Sequence, residues 1–347
     1  MKWTLAAVGV ACWATPALAA DAPAAPHYPN ARVGGYLETV YEVESFVPSP
    51  LHNAFDRTPF HVGQVKVLVD YAMSEQVDGL LELFPIPKSN PGEYAEYRDV
   101  VGNNAPTPFT NTGRLQVSLH GLPTDATFTV GQVRVPFGNW DDWSVHRDLF
   151  RAKSNPALFG GSPLRRLDMG AILEGEFLPA GPWTYRLAAM GRAATPAVND
   201  FARLSDYVGR LAWRGEPGEI GVNAYVPDLK DATFLSKGAL GVDFSLNLPL
   251  NLSLVGEYVD QDDLATGVFV RGFYGRLNYD WSDLLPGVRT AVGYETCASN
   301  VSTDVGNNLV LGARYRLLNG MTLGGDLLVG TPDYPGGHLH LRLETRF

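Results

Sequence analysis

From residue 31 to the last position, apolar and polar side chains alternate with period two, in segments of about 10 residues separated by stretches rich in turn formers. At the end of the chain Leu339, Leu341, Leu343, Thr345 and Phe347 fall on one face, and His338, His340, Arg342, Glu344 and Arg346 on the other. Upstream, Val65, Val67, Val69 and Tyr71 oppose Gln64, Lys66 and Asp70, while Leu240, Val242, Phe244, Leu246 and Leu248 oppose Asp243, Ser245 and Asn247. Leu309, Leu311, Ala313, Tyr315 and Leu317 likewise oppose Asn308, Arg314 and Arg316. The pattern predicts sixteen strands, at 31–45, 60–73, 76–84, 112–120, 125–135, 165–178, 182–193, 204–214, 219–228, 237–248, 250–260, 267–281, 287–298, 306–318, 320–330 and 337–347. The segment at 76–84 alternates least, and reading it as loop would change the count by two.

The gaps between these strands are short and long by turns. Ser74 with Glu75, Pro179 to Gly181, Glu216 with Pro217, Leu248 to Leu250, and Asn319 with Gly320 are tight, whereas 85–111 and 136–164 are long. An even count puts both ends on one side, and bacterial membrane barrels carry short periplasmic turns and longer external loops. A soluble β-sandwich also alternates, but it buries one face of each sheet against the other. Here the polar face carries full charges on almost every strand, and Trp183, Tyr185, Trp213, Tyr258, Tyr279, Trp281 and Tyr315 stand near strand ends as interfacial girdles do. The fold class expected is all-β: a transmembrane antiparallel β-barrel over 31–347, in contact with outer-membrane lipid and lipopolysaccharide.

The first residues change where such a chain must go. Lys2, an apolar stretch from Trp3, and Ala17-Leu18-Ala19 have the charge, the short apolar core and the small-residue site of a secretory signal peptide. Residues 1–19 are expected to be removed, leaving 20–30 as a short periplasmic segment. The apolar core is shorter than the roughly 20 residues of a membrane-spanning helix. Cys297 is then the one remaining cysteine, so no internal disulfide forms despite export. The net charge of −10 argues against a nucleic-acid partner.

The stretch Val130-Gly131-Gln132-Val133-Arg134-Val135-Pro136-Phe137-Gly138 resembles the fifth-strand motif of the phosphate-selective porin O/P family, and the sixteen-strand count agrees with it. The last strand, with Leu341, Leu343 and terminal Phe347, is similar to the signal by which the barrel-assembly machinery inserts outer-membrane proteins. The resemblance implies a water-filled channel for passive diffusion of ions and small hydrophilic solutes, and leaves a homotrimer open. Phosphate selectivity in that family depends on a lysine-rich pore, and here only Lys66, Lys88, Lys153, Lys230 and Lys237 follow the signal.

In sixteen-strand porins the third external loop folds inward and narrows the channel. Loop 136–164 occupies that place, and it is dense in charge. Asp141, Asp142, Arg147, Asp148, Arg151 and Lys153, with Arg134 on the preceding strand, are the candidate constriction, although Arg134 shares a nominal face with Phe128 and Val130. The alternative for this loop is a solvated cap. Parity assigns a pore wall of Lys66, Arg114, Arg186, Arg210, Arg276, Arg314 and Arg316 with Glu38, Glu42, Asp70 and Asp168, joined by Glu82, Glu174, Asp243, Asp326 and Arg342. Opposed guanidinium and carboxylate groups can hold a transverse field across water, and the same residues can instead be ion pairs that stiffen the barrel.

No other chemistry stands out. His338 and His340 share a face but lack a third ligand, so no metal site is expected. No nucleophile elbow flanks the histidines, Gly160-Gly161 lacks the context of a phosphate loop, and neither a catalytic residue nor a cofactor is expected. The competing functions are a barrel that conducts little and binds a partner through its loops, and an outer-membrane hydrolase. If the end of the chain is the assembly signal, Phe347→Asp should sharply lower the amount of folded barrel in the membrane. Wild-type surface levels of that variant would refute the assignment.

Overall fold

A computed structural model describes residues 28–44, 60–83, 112–138, 167–178, 181–191, 204–227, 237–263, 268–299, 306–330 and 337–346. The expected signal peptide, Phe347 and the loop beyond Gly138 lie outside these residues. The strands are β1 (Asn30–Glu44), β2 (Phe60–Ala72), β3 (Val77–Leu83), β4 (Thr112–Leu122), β5 (Ala126–Arg134) and β6 (Leu167–Glu176). Next come β7 (Trp183–Gly191), β8 (Leu204–Gly215), β9 (Gly218–Val226), β10 (Lys237–Leu248) and β11 (Leu252–Asp263). The last five are β12 (Val268–Asp280), β13 (Val288–Ser299), β14 (Gly306–Leu318), β15 (Met321–Gly330) and β16 (Gly337–Arg346). Each pairs antiparallel with its neighbours in sequence, and β1 pairs with β16, so the sheet closes as a sixteen-strand barrel with no free edge. The weakly alternating segment is a strand of seven residues, β3.

Closure dictates where the side chains go. Leu246, Leu254, Leu277, Val292, Leu311, Leu327 and Leu339 are register partners in succession from β10 to β16, forming an apolar belt on the outer surface. Most of its members are exposed, the reverse of a soluble domain. Three residues along each strand the face is the opposite one: Asp243, Glu257, Tyr274 and Glu295 are successive partners on β10 to β13, and all three carboxylates are buried inside. Apolar outside and charged inside is the amphipathicity lipid requires of a barrel.

The aromatic residues sit where the belt ends. Trp183 and Trp213 are register partners at the short-turn end of β7 and β8. Phe177 packs on Tyr185 with ring centroids 5.2 Å apart, and Tyr279 meets Trp281 edge-on at 4.6 Å. The Trp281 indole N–H donates to Thr290 Oγ1 at 2.9 Å, leaving its ring at the rim. Rings with one wet edge favour such an interface. Both ends of the barrel strands lie at this short-turn end, as an even count demands.

Leu311, near the middle of β14, tests the belt. In bilayers Leu311→Arg should lower stability by about 2–4 kcal/mol, whereas Ser245→Arg, which faces the interior from β10, should be tolerated. Equilibrium unfolding in vesicles, followed by gel mobility with and without heating, measures both. Equal losses would mean that the two faces are misassigned.

Candidate functional site in the barrel lumen

The main departure from a simple tube begins at the end of β5. Val135, Pro136, Phe137 and Gly138 are all buried, and the Gly138 N–H donates to Asn223 Oδ1 on β9 at 3.0 Å. Four residue steps from Arg134 cover at most about 14 Å, while the four intervening strand spacings come to about 19 Å along the wall. The segment therefore cuts a chord through the interior. It makes no sheet ladder, and Phe137 N–H turns back onto the Val135 carbonyl at 3.0 Å.

Its residue types fit this path. A Cβ built on Gly241 of β10 would lie 2.8 Å from the Phe137 ring, so the absence of a side chain there makes room for the aromatic. Gly138 has φ +74°, in the left-handed region, and its α-carbon faces the Glu257 carboxylate too closely for any side chain. Beneath the segment runs a register row of Ala239, Tyr225, Val208, Ala188 and Ile172 from β10 back to β6. With Val133, Val135, Phe137, Met190 and Val259 these residues form an apolar core inside the barrel. Within it the Tyr225 hydroxyl donates to buried Asp206 at 2.5 Å.

Around the rest of the wall the charges are paired between nearby strands. Glu82, fully buried on β3, is flanked by Lys66 on β2 and by Arg114 on β4, whose Nε lies 3.1 Å from Glu82 Oε2. Arg186 meets Glu174 at 2.9 Å, Arg342 meets Asp326 at 2.9 Å, and Arg314 meets Glu344 at 2.7 Å. Arg210 holds Asp243 through both nitrogens of its fork, at 3.0 and 2.6 Å, and reaches Glu219 at 2.6 Å. It reaches β10 from β8 by lying over Gly221, where a Cβ would come within 2.7 Å of the guanidinium. Among the described residues these wall charges lie in local ion pairs.

Of the expected wall residues, Lys66, Arg114, Arg186, Arg210, Arg276 and Arg314 stand on inward rows. Asp70 and Arg316 are exposed near the short-turn end. Glu38 and Glu42 are register partners of Glu344 and His340, and Asp168 is that of inward Val133. Arg134 ends β5 in the register row of Phe128, Val130 and Gln132, whose partners Leu119, Val117 and Leu115 are exposed outside. Asp141, Asp142, Arg147, Asp148, Arg151 and Lys153 lie outside the described residues. Leu341 and Leu343 belong to the outward row of β16.

Several interior residues escaped the sequence reading: Asp206, Glu219, Asn223, Glu257 and Glu295. The inward row of β11 runs Ser253, Val255, Glu257, Val259, Gln261. Val259 serves the apolar core beneath the crossing segment, and the two valines blur the alternation that would have singled out Glu257.

No protein-family model and no curated protein matches the sequence. Among solved structures, the chain is similar to OmpF of Salmonella typhi in complex with daunomycin: 10% identity, 92% of this chain and 98% of that one, TM-score 0.63. It is also similar to the outer membrane channel DcaP of Acinetobacter baumannii, with 12% identity, 92% and 97% coverage and TM-score 0.56. A third is the trimer form of in-vitro folded OmpT, an outer membrane protein of Vibrio cholerae, with 11% identity, 92% and 99% coverage and TM-score 0.56. At such identities the likeness is one of fold: the chain has the barrel architecture of outer-membrane porins.

The buried pairs carry their own test. Removing Glu82 leaves Lys66 and Arg114 without their shared carboxylate in a desolvated wall, so Glu82→Ala should cost about 3–5 kcal/mol in chemical unfolding of the folded barrel. Asp280, whose ion pair with Arg289 is half-exposed at 2.8 Å, should cost less than about 1 kcal/mol on the same change. Comparable small losses from both would show that water reaches the Glu82 cluster freely.

Proposed function

We propose that the chain is exported by its first 19 residues and inserts into the Gram-negative outer membrane as a porin. Its task is passive diffusion of ions and small hydrophilic solutes, without catalysis. The observation that carries this reading is the pairing of an apolar outer belt with charged inward rows, in a closed barrel crossed by the chain after β5. A barrel serving only as an anchor for its loops has no need of a charged interior that is narrowed from within. The likeness of residues 130–138 to the fifth-strand motif supports the same reading, while the scarcity of lysine gives no support to phosphate as the solute. The trimer form of the Vibrio barrel makes a homotrimer the assembly of choice.

Since the chain enters the lumen at Val135–Gly138, loop 136–164 is the part we assign to the constriction. Asp141, Asp142, Arg147, Asp148, Arg151 and Lys153 are then the charges that meet the solute. Planar-bilayer recording should show discrete ohmic steps from the wild-type protein, and reversal potentials under a salt gradient read its ion preference. Changing Asp141, Asp142 and Asp148 together to Asn should shift permeability toward anions, and changing Arg147 and Arg151 to Gln should shift it toward cations. Charges in water are screened beyond about 10 Å at 0.1 M salt, so both shifts should shrink as salt rises. A wild-type barrel without conductance would overturn the porin assignment, and unchanged selectivity in both variants would reduce the loop to a surface cap.

A further inference from the structure

We propose that Arg210, Asp243 and Asn223 form a latch that holds the base of the crossing segment against β9–β11, and that this latch sets the free cross-section of the channel. The second clause rests on the porin reading; the first does not. Asp243 is a fully buried carboxylate and needs a counter-charge. Arg210 supplies it in fork geometry, at 3.0 and 2.6 Å. Asp243 Oδ2 also accepts from Asn223 Nδ2 at 2.6 Å.

That third bond orients the amide. With its nitrogen turned to the carboxylate, Asn223 must point Oδ1 the other way, where it accepts the Gly138 N–H at 3.0 Å. The flipped amide would set oxygen against oxygen at Asp243 and a donor against a donor at Gly138. The Arg210–Asp243 pair therefore does not face water; it fixes the direction of a neutral acceptor. Phe137 on Gly241 adds contact but no direction, because apolar packing lets a segment slide. From Arg210 the chain of contacts continues through Glu219 to Arg214, 3.0 Å further on and largely exposed, so the latch is braced from the short-turn end.

Two variants perturb the latch independently. Asn223→Ala removes the acceptor, and Gly241→Ala puts a methyl where the Phe137 ring rests. Asn247→Ala, on the inward row of β10 near the turn, serves as the control. All three should keep the heat-modifiable gel shift of the folded barrel. In the first two, the Gly138 amide should exchange with deuterium about tenfold faster, the equivalent of one lost hydrogen bond. Their single-channel conductance should rise and become noisier, and the control should match the wild type in both readouts. Unchanged exchange at Gly138 in folded Asn223→Ala would overturn the latch, and faster exchange with wild-type conductance would overturn its role in the pore. If the wild type itself conducts nothing, the porin reading falls, and the exchange rates alone decide whether the latch exists.

Discussion

In hydrocarbon an unpaired backbone N–H or C=O costs several kcal/mol, and the rest of this structure follows from meeting that demand with strands. Among the described residues no helix is long and apolar enough to cross a membrane. The backbone is satisfied instead by sixteen antiparallel ladders, the last of which joins β16 to β1. Closing the sheet makes every strand two-faced and assigns the faces opposite solvents. The belt from Leu246 to Leu339 and the buried row from Asp243 to Glu295 are the two sides of that one constraint.

The interior then has its own problem, because a wall of fixed charges with little access to water must be neutralised locally. Lys66, Glu82 and Arg114 do this on β2 to β4, and Arg314, Asp326, Arg342 and Glu344 do it on β14 to β16. Over β6 to β10 the solution differs. There the inward row is apolar, covered by Val135 and Phe137, and polar groups appear at its margins as Asp206 and the Asp243 cluster. The lumen is thus sided: a packed, partly apolar sector under the crossing segment, and a charged sector elsewhere.

Much of this was legible in the sequence, because period-two alternation is strongest where lipid and water face each other across one strand. In β14 and β16, where leucines alternate with arginines, the faces could be assigned residue by residue. The third strand was harder, being short and apolar on both faces at Leu80, Leu81 and Leu83. Ion-pair partners were not legible at all, since which carboxylate lies beside Arg210 or Arg342 depends on register between strands. Nor was the face of Val133 and Val135 legible, because they look lipid-facing as apolar residues and yet belong to the buried core inside the barrel. The motif Val135-Pro136-Phe137-Gly138 was visible as a resemblance, but its use as a chord through the barrel became apparent only with Gly138 bonded to Asn223.

Everything in this barrel depends on a two-faced wall in a membrane. The most direct measurement places a spin label at each position from 240 to 247 on β10 in lipid vesicles and compares relaxation by oxygen with relaxation by a water-soluble nickel chelate. Oxygen accessibility should peak at Leu240, Val242, Phe244 and Leu246. Nickel accessibility should peak at Ser245 and Asn247, with period two. Equal accessibility on both faces, or oxygen peaks on the inward row, would contradict a barrel that holds lipid outside and water within.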